Sequence, residues 1–424
     1  MDIPDGVDLT NNSVPDSDGY TPIAKNMQVF LDSYIPDKLP YREKELGAIL
    51  QILQPILYGN PVSNIFVIGK TGTGKTIVVK KIGHKIESMS KEGMQNVVFQ
   101  YINCSEVDNI YGFFCVVGNK LAEGTEFHIP YTGWPLDKVI DTFRSILNKR
   151  KIKVILVMDE IDKLIHKVGD SYLYTLINLS NENENFRINI VGITNDVNLP
   201  SQITDERVKS RLNDEKITFA PYNAEQLATI LDERAKLAFD ESVLDNGVIS
   251  LCAAIGAHEH GDARRAINLL RMAAQLAERK RSKKITTEDV YDAKRTIDID
   301  YTEQILSDLP LHQKIILYAI VKSMENSTKR IQTAPEIITM YTGICMKMEV
   351  SPLSPRRIND LINDLSTLGI LKSTVQYHGR KGRIKIVELW VPIPNITKMI
   401  KSDSTLNVFM EEHPELHFKQ KTLF

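Results

Sequence analysis

Gly69, Lys70, Thr71, Gly72, Thr73, Gly74, Lys75 and Thr76 match the spacing G-x-x-x-x-G-K-[ST]. The apolar run NIFVIG (64–69) leads into it, and IVVKKIGHKI, beginning at Ile77, follows with helical character. Strand, loop and helix are the context this spacing requires. The glycines let backbone N–H groups converge on phosphate oxygens, and the N-terminus of the helix adds the positive end of a dipole. Lys75 should reach the β- and γ-phosphates of a nucleotide, and the Thr76 hydroxyl should ligate Mg²⁺. The expected cofactors are ATP or ADP with Mg²⁺. The simpler alternative is a glycine-rich turn without a ligand.

Farther along, the apolar residues Val154–Met158 run into Asp159 and Glu160. This is the pattern of a buried parallel strand that ends in carboxylates at the sheet edge where ligands bind. Asp159 would hold the metal ion through water, and Glu160 would polarise an attacking water. Asp162 is expected to be solvated or to act as a cap.

These two motifs in this order resemble those of the AAA+ ATPases. The resemblance implies further roles. Asn195, which ends RINIVGITN (187–195), matches the polar sensor that holds the attacking water. Ser210-Arg211 resembles the segment that supplies an arginine finger to a neighbouring subunit, with Arg211 preferred over Arg207. Gly261-Asp262-Ala263-Arg264 resembles the second sensor, in which Arg264 reaches the γ-phosphate. The segment 34–46, YIPDKLPYREKEL, resembles the lining of the adenine pocket, and Tyr222 stands where a lid begins and is expected near the base. For the arginines, a solvated helix face is the competing account.

The elements needed to position these groups are legible around them. Four strand candidates (64–69, 96–104, 153–160, 187–195) alternate with helical stretches over residues 21–220, so an α/β domain with a parallel sheet is expected there. Residues 221–300 contain only helical patterns and read as a lid. Residues 301–400 show three helical segments and then two β-runs, LKSTVQY and RIKIVELWV. Residues 1–20 have the composition of a disordered tail. Residues 401–424 show no pattern and are expected to form a C-terminal tail.

Ser354 and Pro355 open a helix as N-cap and first residue, and Ile358, Leu361, Ile362 and Leu365 form its apolar stripe. Its opposite face carries Arg356, Asp360, Asn363 and Thr367, with Arg357 at the flank. A β-hairpin follows, with Arg380, Lys381 and Arg383 at its tip and Gly379 and Gly382 among them. Helices followed by such a hairpin form a winged helix. Over 351–401, nine basic residues oppose three acids, whereas the whole 424-residue chain has a net charge of −2. This contrast assigns double-stranded DNA to the winged helix: Arg356, Arg357 and Asn363 from the helix, and Arg380, Lys381 and Arg383 from the wing. A protein-docking surface is the alternative.

Composition bounds the rest. The chain is 42% hydrophobic and 25% charged, as in a globular protein. It has no apolar run long enough to span a bilayer and no signal-peptide pattern, so a cytoplasmic, nucleoid-associated protein without a membrane partner is expected. Four scattered cysteines read as buried thiols, not as a disulfide framework or a zinc site.

The full set, together with LPYREKEL, PYNAEQL and GDARRAINLL, resembles the archaeal origin-recognition/cell-division-control initiators over residues 23–395. That resemblance implies an AAA+ P-loop domain with a helical lid, followed by a C-terminal winged-helix domain. It further implies slow, switch-like ATP hydrolysis, origin DNA and related initiator subunits as partners, and help in loading the replicative helicase. The family's second DNA contact is expected between the second strand and Asp159, with no residue assigned. A clamp-loader subunit, a branch-migration motor and a nucleotide-binding DNA regulator are the competing readings.

Overall fold

The computed structural model describes residues 22–90, 96–181, 185–212, 215–240, 242–326, 331–377 and 383–412. Residues 1–20, expected to be a tail, and the wing residues Arg380 and Lys381 lie outside them. The chain divides into two compact units, Met1–Ala293 and Lys294–Phe424.

In the first unit five strands form one parallel sheet: β1 (Ile65–Gly69), β2 (Val97–Asn103), β3 (Lys153–Asp159), β4 (Arg187–Thr194) and β5 (Glu215–Phe219), in the order β2-β3-β4-β1-β5. Alternating residues of β3 feed two cores. Val154, Leu156 and Met158 pack on one side with Phe113, Phe143 and Leu173. Ile155 and Val157 pack on the other with Val78, Val79 and Ile82. Both faces are thus covered, as in parallel sheets generally. The register brings Asn103 level with Asp159, and Asp159 level with Ile193, so the functional ends of the strands share one edge.

Sequence patterning anticipates four of these strands to within a residue or two and misses β5. The stretch between β2 and β3 folds mainly as two helices, Ile110–Leu121 and Leu136–Arg150. The lid comprises helices Ala224–Ala238, Val248–His258 and Ala263–Arg279, followed by the start of Thr287–Asp308. Asn223 and Gln226 form a capping box at its first helix. Asp262 caps the third, accepting from the backbone N–H groups of Arg264 and Arg265.

In the second unit, helices Leu311–Asn326, Ala334–Lys347 and Pro355–Thr367 pack with an antiparallel sheet of order β6-β8-β7. Its strands are β6 (Ile331–Thr333), β7 (Leu371–Tyr377) and β8 (Arg383–Leu389). This is a winged helix, with one short strand more than the sequence suggests. Two further helices, Ile393–Ser402 and Ser404–Glu412, correct the expectation of a patternless C-terminal tail from residue 401. Leu406 and Phe409 of the last helix are buried in the core of this unit. Asp403 holds its start, accepting from the Thr405 and Leu406 N–H groups and pairing with Lys314.

All four cysteines are free and buried. No helix among the described residues is long and apolar enough to cross a membrane.

Candidate functional site

The loop between β1 and helix Lys75–Ser90 is shaped by backbone that only glycine adopts easily. Gly72 has φ 67° and Gly74 φ 89°. A Cβ on Gly72 would lie 1.7 Å from Asp262 Oδ1, and one on Gly74 would lie 2.9 Å from the Tyr222 hydroxyl. The loop is therefore clasped by the lid on both sides. Thr73 is buried, and its hydroxyl donates to Lys70 O at 2.8 Å, which tightens the turn.

Lys75 is almost fully buried, with 6% of its surface exposed. Its ammonium donates to Gly69 O at 2.6 Å, to Lys70 O at 2.7 Å and to Asn195 Oδ1 at 2.7 Å. Burial pulls its pKa down to about 8, and Arg264 adds to this, while Asp159, Asp162 and Asp262 oppose it. A cation held this way, at the mouth of a glycine nest and a helix N-terminus, is matched to a polyphosphate.

Asp159 lies opposite. Its Oδ2 accepts from the Thr76 hydroxyl at 2.7 Å and from the Tyr101 hydroxyl at 2.9 Å, and its Oδ1 accepts from Glu160 N at 3.0 Å. Burial, with Asp159 beside it, pushes the Tyr101 pKa well up, so this hydroxyl stays a donor. Glu160 turns away in the left-handed region, φ 52°, at the start of helix Ile161–Val168, and lines the same cleft. Asp162 corrects the sequence-based expectation of solvent exposure. It is buried and accepts from the Thr194 hydroxyl at 2.8 Å, because the turn after Glu160 aims it back under β4. That bond anchors the end of β4 and with it Asn195.

The cleft has a volume of about 720 Å³. Gly72, Thr73, Gly74, Lys75, Thr76, Ile77, Asp159, Glu160, Tyr222 and Arg264 all line it. Tyr34, Ile35, Pro36 and Leu39 close it from the N-terminal segment, with Ile230 and Leu237 from the lid. The structure thus gathers most of the expected nucleotide residues. Tyr222 sits against Gly74 of the loop, its hydroxyl bonded to Arg42. Arg211 lies on helix Glu206–Leu212. Arg207 is engaged within its own subunit, pairing with Asp205 at 2.8 Å and lying 3.7 Å over the Tyr174 ring.

In the winged helix, Ser354 accepts from Arg357 N as N-cap, and the stripe Ile358, Leu361, Ile362 and Leu365 is buried. Arg356, Arg357, Asp360, Asn363 and Thr367 are exposed. Lys385 of β8 reaches across and donates to Asn363 Oδ1 at 2.9 Å and to Asn359 O at 3.3 Å. Arg383 is the first residue of β8.

Sequence reasoning assigned no role to Tyr101 or Lys385, and read Arg42 only as part of the segment 34–46. Each acts on a partner distant in sequence, and no local pattern announces such a pairing.

The sheet, the lid and the phosphate-binding loop define an AAA+ ATPase, here carrying a C-terminal winged helix. Residues 65–218 match the family described as ATPase family associated with various cellular activities (AAA). Residues 228–295 match the Cdc6 AAA+ ATPase-type lid domain, and residues 304–399 the CDC6 C-terminal winged helix domain. The chain is 42% identical to ORC1-type DNA replication protein 1 of Archaeoglobus fulgidus, covering 93% of this chain and 94% of that one. It is also 42% identical to the ORC1-type DNA replication protein of Thermococcus kodakarensis, covering 87% and 88% of the two chains. Among solved structures, the Aeropyrum pernix ORC1 protein in complex with DNA superposes with a TM-score of 0.78 at 34% identity, covering 91% of this chain and 98% of that one. The chain therefore belongs to the archaeal origin-recognition/cell-division-control family of replication initiators.

Proposed function

We propose that this chain is an ATP-dependent replication initiator that binds double-stranded origin DNA through its winged helix and helps load the replicative helicase. ATP binding and slow hydrolysis act as its switch. The observation that carries the reading is the joined set Lys75, Asn195, Thr76 and Asp159, held under the lid of a chain that also carries a winged helix whose exposed helix face presents Arg356, Arg357 and Asn363. The Aeropyrum pernix ORC1 protein, solved in complex with DNA, supports the same use of this fold.

The donor set suits a nucleotide with Mg²⁺. The Thr76 hydroxyl and the Asp159 carboxylate lie within a hydrogen bond of each other at the end of the loop, and hard oxygen donors are what Mg²⁺ takes. When bound, such an ion would neutralise phosphate charge. Lys75 contributes the buried positive charge, Asn195 orients the attacking water, and Glu160 polarises it. Arg264 joins the lid to the phosphates, and Arg211 reaches the nucleotide of a related initiator subunit. Such a protein works in the cytoplasm, on the nucleoid.

A salt series of duplex affinities tests the DNA assignment. Neutralising Arg380, Lys381 or Arg383 should weaken binding to every sequence and flatten log K against log salt by roughly 0.9 per lost phosphate contact. Replacing Arg356 or Asn363 should cost about 1–3 kcal/mol on the preferred site and less on scrambled duplex. Unchanged affinity and slope in the wing variants would make this domain a protein-docking surface.

A further inference from the structure

Arg42 lies outside the cleft, yet it joins three parts of the site. It is a buried arginine, 4% exposed. Its Nε donates to Thr73 O of the phosphate-binding loop at 2.9 Å and to the Tyr222 hydroxyl at 2.9 Å. Its Nη2 donates to Ala220 O, the residue that follows β5. Its Nη1 pairs with Glu45 at 2.9 Å, which offsets the cost of burying the charge. The guanidinium carbon lies 4.0 Å from the centre of the Tyr222 ring.

The hinge of the lid runs through these partners. Ala220 and Tyr222 connect β5 to helix Ala224–Ala238. Tyr222 N in turn donates to Gly261 O at 3.3 Å, and Ala263 N donates to Gly72 O at 3.1 Å. The hinge and the start of the Arg264 helix are thus tied to each other, and both are tied to the loop. Swinging the lid away requires either breaking Arg42 bonds, to Ala220 and Tyr222 or to Thr73, or dragging Thr73 with them. Since Lys75 follows two residues after Thr73, the second course disturbs the phosphate contacts.

We infer that Arg42 is a positioning residue that latches the lid hinge to the phosphate-binding loop and sets how long a nucleotide stays bound. The inference rests on the reading of this cleft as the nucleotide site. Opening the lid then costs the charge-assisted bonds of a buried arginine, which slows release.

Stopped-flow release of N-methylanthraniloyl-ADP, chased by excess ADP, tests the latch in the full chain. Arg42→Lys keeps a positive charge beside Glu45 but cannot serve Thr73, Ala220 and Tyr222 together. Release should quicken by about tenfold or more, as expected for charged hydrogen bonds, with association changed little. Tyr222→Phe keeps the ring and loses only the hydroxyl, so it should quicken release to a smaller extent. The double variant should release no faster than Arg42→Lys alone, because both act on one latch. Release at the wild-type rate in both single variants, with only a lowered melting temperature, would reduce Arg42 to a structural bracket. Multiplying effects in the double variant would also overturn a single latch. Lys75→Ala is the separate control: if it binds the probe as tightly as wild type, the reading of the cleft fails, independently of Arg42.

Discussion

The Lys75 ammonium donates to Asn195 Oδ1 at 2.7 Å, joining the helix after β1 to the end of β4. One bond thus fixes two side chains of the site at once. The same economy appears at Asp159, where Thr76 and Tyr101 share one oxygen.

Hydrolysis should separate from binding at this pair. Glu160→Gln should retain ATP binding and lose turnover. Asn195→Ala should lower kcat roughly a hundredfold, the scale for losing one preorganised polar group, with nucleotide affinity little changed. Calorimetry together with phosphate release checks both, and normal turnover by Glu160→Gln would refute the assignment.

The depressed pKa of Lys75 gives a pH signature. With a folded-state value of about 8 against an ordinary 10.5, the unfolded chain holds the extra proton between these values. This residue therefore disfavours folding below pH 8, and that penalty lifts as pH rises towards 10.5. Nucleotide binding runs the other way. Phosphates favour the charged ammonium, so affinity should fall as pH rises above 8, and binding there should take up a proton. Titration calorimetry in two buffers of different ionisation enthalpy measures the uptake, which Lys75→Met should abolish.

As a finger that serves a neighbouring subunit's nucleotide, Arg211 should act only between subunits, and Arg207 is engaged with Asp205 and Tyr174 of its own chain. Arg211→Ala should bind ATP normally and lose the extra hydrolysis that appears when subunits meet on DNA. Mixing it with Lys75→Ala should restore part of that activity. A complete lack of rescue would assign Arg211 to its own subunit or to solvent.

The C-terminal helix supplies a stability test. Leu406 is fully buried in the second unit, so Leu406→Ala should cost about 2–5 kcal/mol, seen as a lowered unfolding transition of the full chain. A change below about 0.5 kcal/mol, as at ordinary surface sites, would mean that this helix is not part of the core.

What the sequence made legible follows from where the information lies. The phosphate-binding loop, the Asp159 strand and the helix Pro355–Thr367 are each written in contiguous residues, with their caps and periodicity. β5 is hidden because EKITF is short and carries two charges on an edge strand, so it lacks the apolar run of its neighbours. The helices after residue 392 are short, the first opens at Pro392, and the burial of Leu406 depends on distant partners. Asp162 looks like any acid in a helix's first turn until β4 brings Thr194 to it. Arg42 falls within the segment that resembles an adenine-pocket lining, but nothing local marks it, because its partners stand 31 and 180 residues away.

The central claim, an initiator acting at origins, is tested most directly by mapping the chromosomal sites this protein occupies against the points where replication starts. Wild-type protein should concentrate at those start points, and Arg356→Ala with Asn363→Ala should disperse it. Occupancy concentrated at promoters or recombination junctions, with none at replication starts, would contradict the account.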